Sequence, residues 1–424
     1  MESTLSRRRF LQLTGGALAV YGTSPMWLRL GPAWAEPGPA PGARGVPGET
    51  ARKLVVLLLA GGNDGLNTLV PYGSPAYYEA RPTLAFKAEE VLKLPDSTFV
   101  GLNPNLPNLA KLYGERKVAI VQGVGYDHPD LSHFGSMDIW QSGSPTHAAS
   151  TGWLGRYLDH SETNAIVRAV AIGNSLPTAL QGAEQSGVAV PSFAGFRFYD
   201  GGDGDAKSDP YRLHETFLRC GAAPAEGEAA RAFLASTGKT VTAVRAINKL
   251  GDPQAPPPAT LADQMGMAVT LLSSDLGVEI AFLTLGSFDD HAAEKNNHPK
   301  LIKAVDDAIA RFHQDTTAKG NPGDYLLMTF SEFGRRVHED GSAGTDHGTA
   351  APLFVVGDGV AGGLYGEHPK LEPAALDDNK NLKRTVDFRE VYATILDGWL
   401  RRAPAAEVLA IKGADGLHPV NFLR

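Results

Sequence analysis

Residues able to do chemistry are gathered in a few short stretches of this sequence. They are Gly61-Gly62-Asn63-Asp64-Gly65-Leu66-Asn67, Gly286-Ser287-Phe288-Asp289-Asp290-His291, Ser331-Glu332-Phe333-Gly334-Arg335-Arg336 and Gly344-Thr345-Asp346-His347-Gly348. A further cluster, Asp127-His128-Pro129-Asp130-Leu131-Ser132-His133-Phe134, sets a hydroxyl beside two imidazoles. Carboxylates and imidazoles together supply the oxygen and nitrogen lone pairs that zinc- or manganese-type sites require. Singly, each stretch has a simpler explanation. Asn63-Asp64-Gly65 is a common turn, because Asn and Asp tolerate left-handed backbone and Gly favours it. Asp289-Asp290-His291 can cap the segment that follows, Asp346-His347 can be a solvated loop, and Glu332 can pair locally with Arg335. A shared site exists only if the surrounding elements bring these stretches together.

The elements are legible from hydrophobic pattern. Residues 54–59 are an unbroken apolar run ending in Ala60-Gly61-Gly62, the mark of a strand buried on both faces. The stretches 117–122, 167–172, 278–285, 325–330 and 353–356 repeat the form. Between them lie helical patterns. Thr260 caps a helix running to about 276 with Gly277 at its end, and 299 to about 319 carries Leu301, Ile302, Val305, Ile309 and Phe312 before Gly320 stops it. A third amphipathic helix is expected over 387–400. Apolar strands alternating with helices predict an α/β fold with a mainly parallel central sheet and helices on both faces. In such open sheets ligands bind beyond the carboxyl ends of the strands. The stretches at 61, 286 and 331 each follow an expected strand, and 344–348 precedes one.

The ends and the composition set the context. Ser6-Arg7-Arg8-Arg9-Phe10-Leu11 places an arginine pair ahead of a short apolar stretch, with Ala33-Trp34-Ala35 as its small-residue exit. This is a twin-arginine signal peptide over 1–35, cleaved near Ala35, and it predicts a periplasmic or otherwise exported protein. A Pro/Gly-rich linker over 36–50 leads to an α/β domain over 51–424, with a small helical insertion at about 200–258. The signal's apolar run is too short to cross a bilayer core of about 30 Å permanently, and no later stretch is long enough. A net charge of −8 leaves no basic stripe for phosphates and argues against nucleic acid as a partner. Cys220 is the single cysteine, so no internal disulfide forms and the core alone must hold the fold. Asp203, Asp205 and Asp209 lack the full spacing of a calcium loop and read as a solvated acidic segment. His298, His313 and His338 read as surface residues.

Taken in order, Gly61 to Asn67, Ser132-His133-Phe134, Asp289 with His291, Ser331 to Arg335 and Gly344 to Gly348 resemble a large bacterial family. It is catalogued as "domain of unknown function fifteen-oh-one", and its members typically carry twin-arginine signals. That family is distantly similar to the alkaline phosphatase and sulfatase superfamily, whose parallel α/β sheet holds two metal ions and a hydroxyl or formylglycine nucleophile at strand ends. The resemblance extends over nearly all of the mature chain and implies an alkaline-phosphatase-like fold. It implies metal ligation by Asp64, Asp289, His291, Glu332 and His347, with Asp346 beside the last, and Ser132 as nucleophile. Arg335 would clamp a phosphate or sulfate oxygen bidentately. The implied cofactor is a divalent metal (zinc, manganese or calcium), as one or two ions. The implied reaction is hydrolysis of a small-molecule or polysaccharide ester through a seryl intermediate, and the implied partner is the twin-arginine translocation machinery.

The departures matter equally. Ser287 and Asp290 stand where the family usually has Gly and Thr. Phe333 replaces the second half of the superfamily's Asp-His pair and removes a nitrogen ligand. Cys220 is followed by Gly-Ala-Ala-Pro, which excludes formylglycine chemistry. Two other readings stay open. A non-catalytic metal- or glycan-binding envelope protein fits the altered Glu332-Phe333 pair. An SGNH-type esterase would use Gly61 to Asp64 with Asp415-Gly416-Leu417-His418-Pro419, but no Gly-Asp-Ser precedes Gly61.

Overall fold

The computed structural model describes residues 52–146, 149–160, 165–196, 240, 242–252, 255–409 and 417–424. Outside them lie Arg7, Arg8, the exit at Ala35, the 36–50 linker, most of the 200–258 insertion with Asp203, Asp205, Asp209 and Cys220, and Asp415. The chain divides into two compact units, Met1–Pro41 with Phe196–Gly251 and Gly42–Gly195 with Asp252–Arg424. In the first, residues 242–248 are helical. The second carries the sheet and the candidate site.

Strand β1 (Lys53–Leu59) is the central apolar run, and every residue from Leu54 to Leu59 is buried. Both of its faces are covered, which is why the run shows no polar alternation. In chain order the other strands of the main sheet are β2 (Val118–Gly125), β3 (Ala169–Ile172), β4 (Val188–Val190), β5 (Ile280–Leu285), β6 (Tyr325–Phe330), β7 (Ala351–Val356), β8 (Gly363–Tyr365) and β9 (Val386–Asp387). Their spatial order is β8-β2-β7-β6-β1-β5-β3-β4, with β9 also pairing β2. β1 runs parallel to β5 and β6, β3 to β4 and β5, and β2 to β8 and β9. The exception is β7, antiparallel to both β2 and β6. The fold is therefore α/β with a mainly parallel central sheet, as the alternating pattern predicts. Strands β4, β8 and β9 escape the sequence pattern because each is too short to form an apolar run.

Register decides where the loops emerge. Leu59 pairs Leu285 and Leu58 pairs Phe330, so β1, β5 and β6 end at one level. Ala351, the first residue of antiparallel β7, lies opposite Val124 near the end of β2. The chain entering β7 thus stands at the same edge as the chain leaving β1, β2, β5 and β6. This reversal explains how a loop preceding a strand joins loops that follow strands.

Helices cover the sheet. Helix α1 (Gly65–Thr68) is a single turn capped by the Asp64 side chain, and α2 (His133–Ser142) follows β2. Helix α3 (Leu261–Leu272) starts with a Thr260–Asp263 capping box and ends before the expected 276. Helix α4 (His298–Ala318) buries His298, Ile302, Val305, Ile309 and Phe312, one stripe at helical spacing. The surface assignment of His298 is thereby corrected: it is 2% exposed, because it is the first member of that stripe. His313 is half-buried and His338 exposed. Helix α5 (Phe388–Ala393) has a capping box from Asp387 and Glu390, and passes into a π-helical stretch, Thr394–Leu400. Under it lies an aromatic core in which Trp153 stacks on Tyr392 at 4.2 Å and Trp140 on Phe330 at 5.4 Å. Burying each such ring contributes roughly 2 kcal/mol or more.

Candidate metal centre at the strand ends

Asp289, two residues before His291 in the loop after β5, is the hub. Its Oδ1 lies 3.0 Å from His291 Nε2, 3.0 Å from His347 Nε2 and 2.7 Å from Arg335 Nη2. Its Oδ2 lies 3.3 Å from Nε2 of His133, at the start of α2. Nε2 of His291 and Nε2 of His347 are themselves 3.1 Å apart. The donor atoms of His133, Asp289 and His347 thus lie within 4.8 Å of one another, His291 stands beside them through Asp289 and His347, and Asp289 is 43% exposed.

The outer nitrogens decide what the inner ones present. His347 Nδ1 stands 2.8 Å from the carbonyl oxygen of Leu131, which can only accept. His133 Nδ1 stands 2.9 Å from Glu332 Oε1, which also accepts from the Gly61 N–H at 2.7 Å. Both Nδ1 atoms therefore carry a proton, which in a neutral ring leaves each Nε2 an inward-facing lone pair. His291 repeats the orientation more loosely, with Nδ1 3.5 Å from Asp346 Oδ1. Partial burial opposes ionisation of Asp289, but the Arg335 guanidinium holds its carboxyl well below the usual carboxylate range. Arg335 donates to Asp289 Oδ1 from the buried side, and the imidazole nitrogens and carboxylate left facing one another suit a cation. Four ligands on a tetrahedral zinc at bonds of about 2.0–2.1 Å sit about 3.3 Å apart. The donors around Asp289 are 3.0–3.3 Å from it, and those of His133, Asp289 and His347 lie within 4.8 Å of one another, so this trio suits a zinc-sized ion, with His291 beside it. Outer acceptors on ligand imidazoles are the usual supports of such sites.

The surrounding chain is shaped to allow this. Gly61 has φ +116°, and a Cβ there would meet the Asp289 backbone nitrogen at 2.7 Å. Gly62 has φ +75°, and a Cβ there would collide with the Phe333 ring. Phe333 is buried against the imidazoles, with ring centroids 4.9 Å from His133 and 4.6 Å from His347. Ser287 also takes a left-handed conformation, φ +78°, one that favours the Gly usual in the family.

Of the sequence-predicted ligands, Asp289, His291 and His347 come together. Glu332 does not face the centre; it is buried behind His133 and orients it. Asp64 does not reach the centre either. Its carboxylate is ion-paired with buried Arg81 and accepts the Leu66 N–H at 3.2 Å. Burial would raise its pKa, but the Arg81 charge holds it well below the usual range. Arg335, the expected substrate clamp, points inward and is 2% exposed. Its Nε binds Gly62 O at 2.7 Å, its Nη1 Thr345 O at 2.7 Å, and its Nη2 the carbonyls of Gly61 and Phe288 as well as Asp289. It ties the loops together and has no fork left for a substrate. Asp290 turns aside, bonded to Asn297 Nδ2 at 2.9 Å. Ser132 is exposed beside His133 in the chain, and its hydroxyl makes no hydrogen bond among the described residues. His133 is the member that the sequence reading passed over. Its signal was its place directly after Ser132 in the cluster beyond β2.

Fold and site together define an α/β protein with a histidine–carboxylate centre on the strand ends of its sheet. The chain belongs to the family described as "Protein of unknown function (DUF1501)", which matches residues 118–409 and so leaves the Gly61 to Asn67 loop upstream of the matched span. No curated protein matches it. Among solved structures it is similar to the C-terminal periplasmic domain of EcEptC from Escherichia coli, at 10% identity and TM-score 0.41, over 85% of this chain and 87% of that one. It is similar to an alkaline phosphatase from the Antarctic bacterium TAB5, at 13% identity and TM-score 0.32, over 73% of this chain and 92% of that one. It is also similar to a protein of the alkaline phosphatase superfamily from Vibrio parahaemolyticus, at 11% identity and TM-score 0.30, over 76% of this chain and 63% of that one.

Proposed function

We propose that this protein is an exported, metal-dependent hydrolase of phosphate or sulfate esters, with one divalent cation, zinc by donor set, held by His133, Asp289, His291 and His347. The observation that carries the reading is the placing of three Nε2 atoms within 3.0–3.3 Å of the Asp289 carboxylate. A cation bound there would supply Lewis acidity, neutralising oxyanion charge and lowering the pKa of a nearby hydroxyl. Glu332 and Leu131 keep His133 and His347 in the required tautomer, and Arg335 fixes Asp289. Ser132 is the hydroxyl available to attack, being exposed and uncommitted. Its Oγ would form the bond to phosphorus or sulfur as the bond to the ester oxygen breaks, the seryl proton passing through solvent to the departing oxygen. Water would then hydrolyse the seryl ester to release the anion and restore the hydroxyl.

The test is turnover of aryl phosphates and aryl sulfates by purified protein, with and without chelator, in wild type and Ser132→Ala. Release that chelator abolishes and that Ser132→Ala lowers at least about 100-fold supports the reading. Release unaffected by chelator overturns it.

One observation favours a second reading, a non-catalytic cation- or glycan-binding envelope protein: Asp64 and Arg335 are both engaged inward, so neither is presented to a second cation or to substrate. Metal binding with silence in every ester assay would select it. The esterase reading has no such support. Asn63, which would stabilise the oxyanion, is buried and bonded to Thr68 Oγ1 at 3.0 Å and to His298 at 3.0 Å.

Export by the twin-arginine machinery, with cleavage near Ala35 and delivery to the periplasm, belongs to the same proposal. Among the described residues no helix is long and apolar enough to cross a membrane. Replacing Arg7→Lys and Arg8→Lys together should retain the full-length precursor inside the cell, read by fractionation. Unchanged maturation would contradict the export route.

A further inference from the structure

Phe134 is 91% exposed, whereas the other exposed large apolar residues among those described, Phe99 and Ile166, are 39% and 40% exposed. Leaving a whole aromatic ring in water forgoes the stabilisation that burial would contribute. Its position is specific. It follows His133 directly in the first turn of α2, and His133 Nε2 lies 3.3 Å from Asp289 Oδ2. Successive helical side chains diverge by about 100°, so Phe134 stands beside the ligand set and not over it. Its mount is rigid. Ser136, one residue beyond Gly135, donates its hydroxyl to the Glu332 carbonyl and accepts from Tyr126 at 2.8 Å, and a side chain at Gly135 would strike the Asp130 carboxylate.

We infer that Phe134 is the docking platform for the substrate's leaving group, a flat apolar ring face that stacks on it while the anionic end of the ester meets the cluster. This rests on the function proposed above and adds the class of leaving group. A second protein is the weaker occupant. In the chain the ring lies between His133 and Gly135, next to exposed Ser132. The other exposed large apolar residues among those described, Phe99 and Ile166, are distant in sequence, whereas protein interfaces need a contiguous apolar patch of several hundred Å². A single exposed ring matches the width of one aryl or sugar ring.

The experiment titrates methylphosphonate, phenylphosphonate and a C-linked glucosyl phosphonate into zinc-loaded full-length protein. None of these can be hydrolysed, so binding is read apart from turnover. In wild type at least one ring-bearing phosphonate should bind about fivefold tighter than methylphosphonate. Phe134→Ala should erase that preference and leave zinc and methylphosphonate affinity unchanged, while Phe134→Trp preserves it. Tighter binding of the phenyl compound identifies an aryl group, and tighter binding of the glucosyl compound a sugar. A ring preference that survives Phe134→Ala, or none in wild type, overturns the inference. If zinc-loaded wild type binds none of the three, the anion-binding reading of the centre fails first and takes this inference with it.

Discussion

At the scale of single residues, the orientation of three imidazoles carries the account. His133 and His347 are pinned through Nδ1 by Glu332 and the Leu131 carbonyl, and what they offer the centre is Nε2. Glu332 therefore acts through His133. Glu332→Gln should weaken zinc binding about 10–100-fold, and Asp289→Asn, which removes the hub itself, should weaken it more. Competition with a metallochromic chelator measures both, and equal affinities in all three proteins would contradict the assignment. Ser287 makes a separate point. Its φ of +78° is one that a side chain opposes, so Ser287→Gly should stabilise the fold by about 1 kcal/mol, read as a higher urea midpoint. A lower midpoint would show that the Ser287 side chain contributes more than its backbone costs.

At the scale of elements, the site exists because loops leave one edge of the sheet at one level. Arg335 is the tie among them, holding carbonyls of Gly61, Gly62, Phe288 and Thr345 together with Asp289. Arg335→Met leaves those acceptors and one charge without their partner, and should cost about 3 kcal/mol or more along with most of the zinc affinity. A variant that keeps both stability and zinc would show the loops to be held otherwise. These positions also mark how far the sequence could be read. Strand 325–330 was legible because a strand buried on both faces must be apolar throughout. Asp289, His291 and His347 were legible because strand ends are where parallel sheets expose polar groups. The inward pairing of Asp64 and Arg335 is not legible locally, for one reason. Whether a charged side chain faces solvent or a buried partner depends on a residue far along the chain, Arg81 for the first and the loops at 61, 288 and 345 for the second. His133 was legible in kind but not in role, because nothing local says which of Ser132 and His133 points inward.

At the scale of the whole molecule, a buried polar layer runs beneath the centre. Asp64 pairs with Arg81, Glu294 binds Asn67 at 3.1 Å and Thr345 at 2.9 Å, and His298 meets Asn63 at 3.0 Å. Burial and the Asp64 charge push the Glu294 carboxyl well up, and burial lowers His298 from 6.5 to about 4. His298 is thus neutral when folded, while the unfolded chain takes up its proton below about 6.5. Stability from this residue is full above that pH, falls as pH drops toward about 4 and is constant below. The loss is of order 3 kcal/mol. Denaturation at a series of pH values should show that slope in wild type and a shallower one in His298→Gln, and identical slopes would contradict it. The layer explains how Asn63, Asp64 and Asn67 stay buried as polar residues: each has a buried partner.

The central claim is that the strand-end cluster is a cation site, and the most direct measurement is metal analysis of purified full-length protein joined to X-ray absorption at the metal edge. One equivalent of bound divalent metal is expected, with a shell of three nitrogens and one carboxylate oxygen plus exchangeable solvent, lost in His347→Ala. A protein that stays metal-free after incubation with zinc, or binds it equally well without His347, would contradict it.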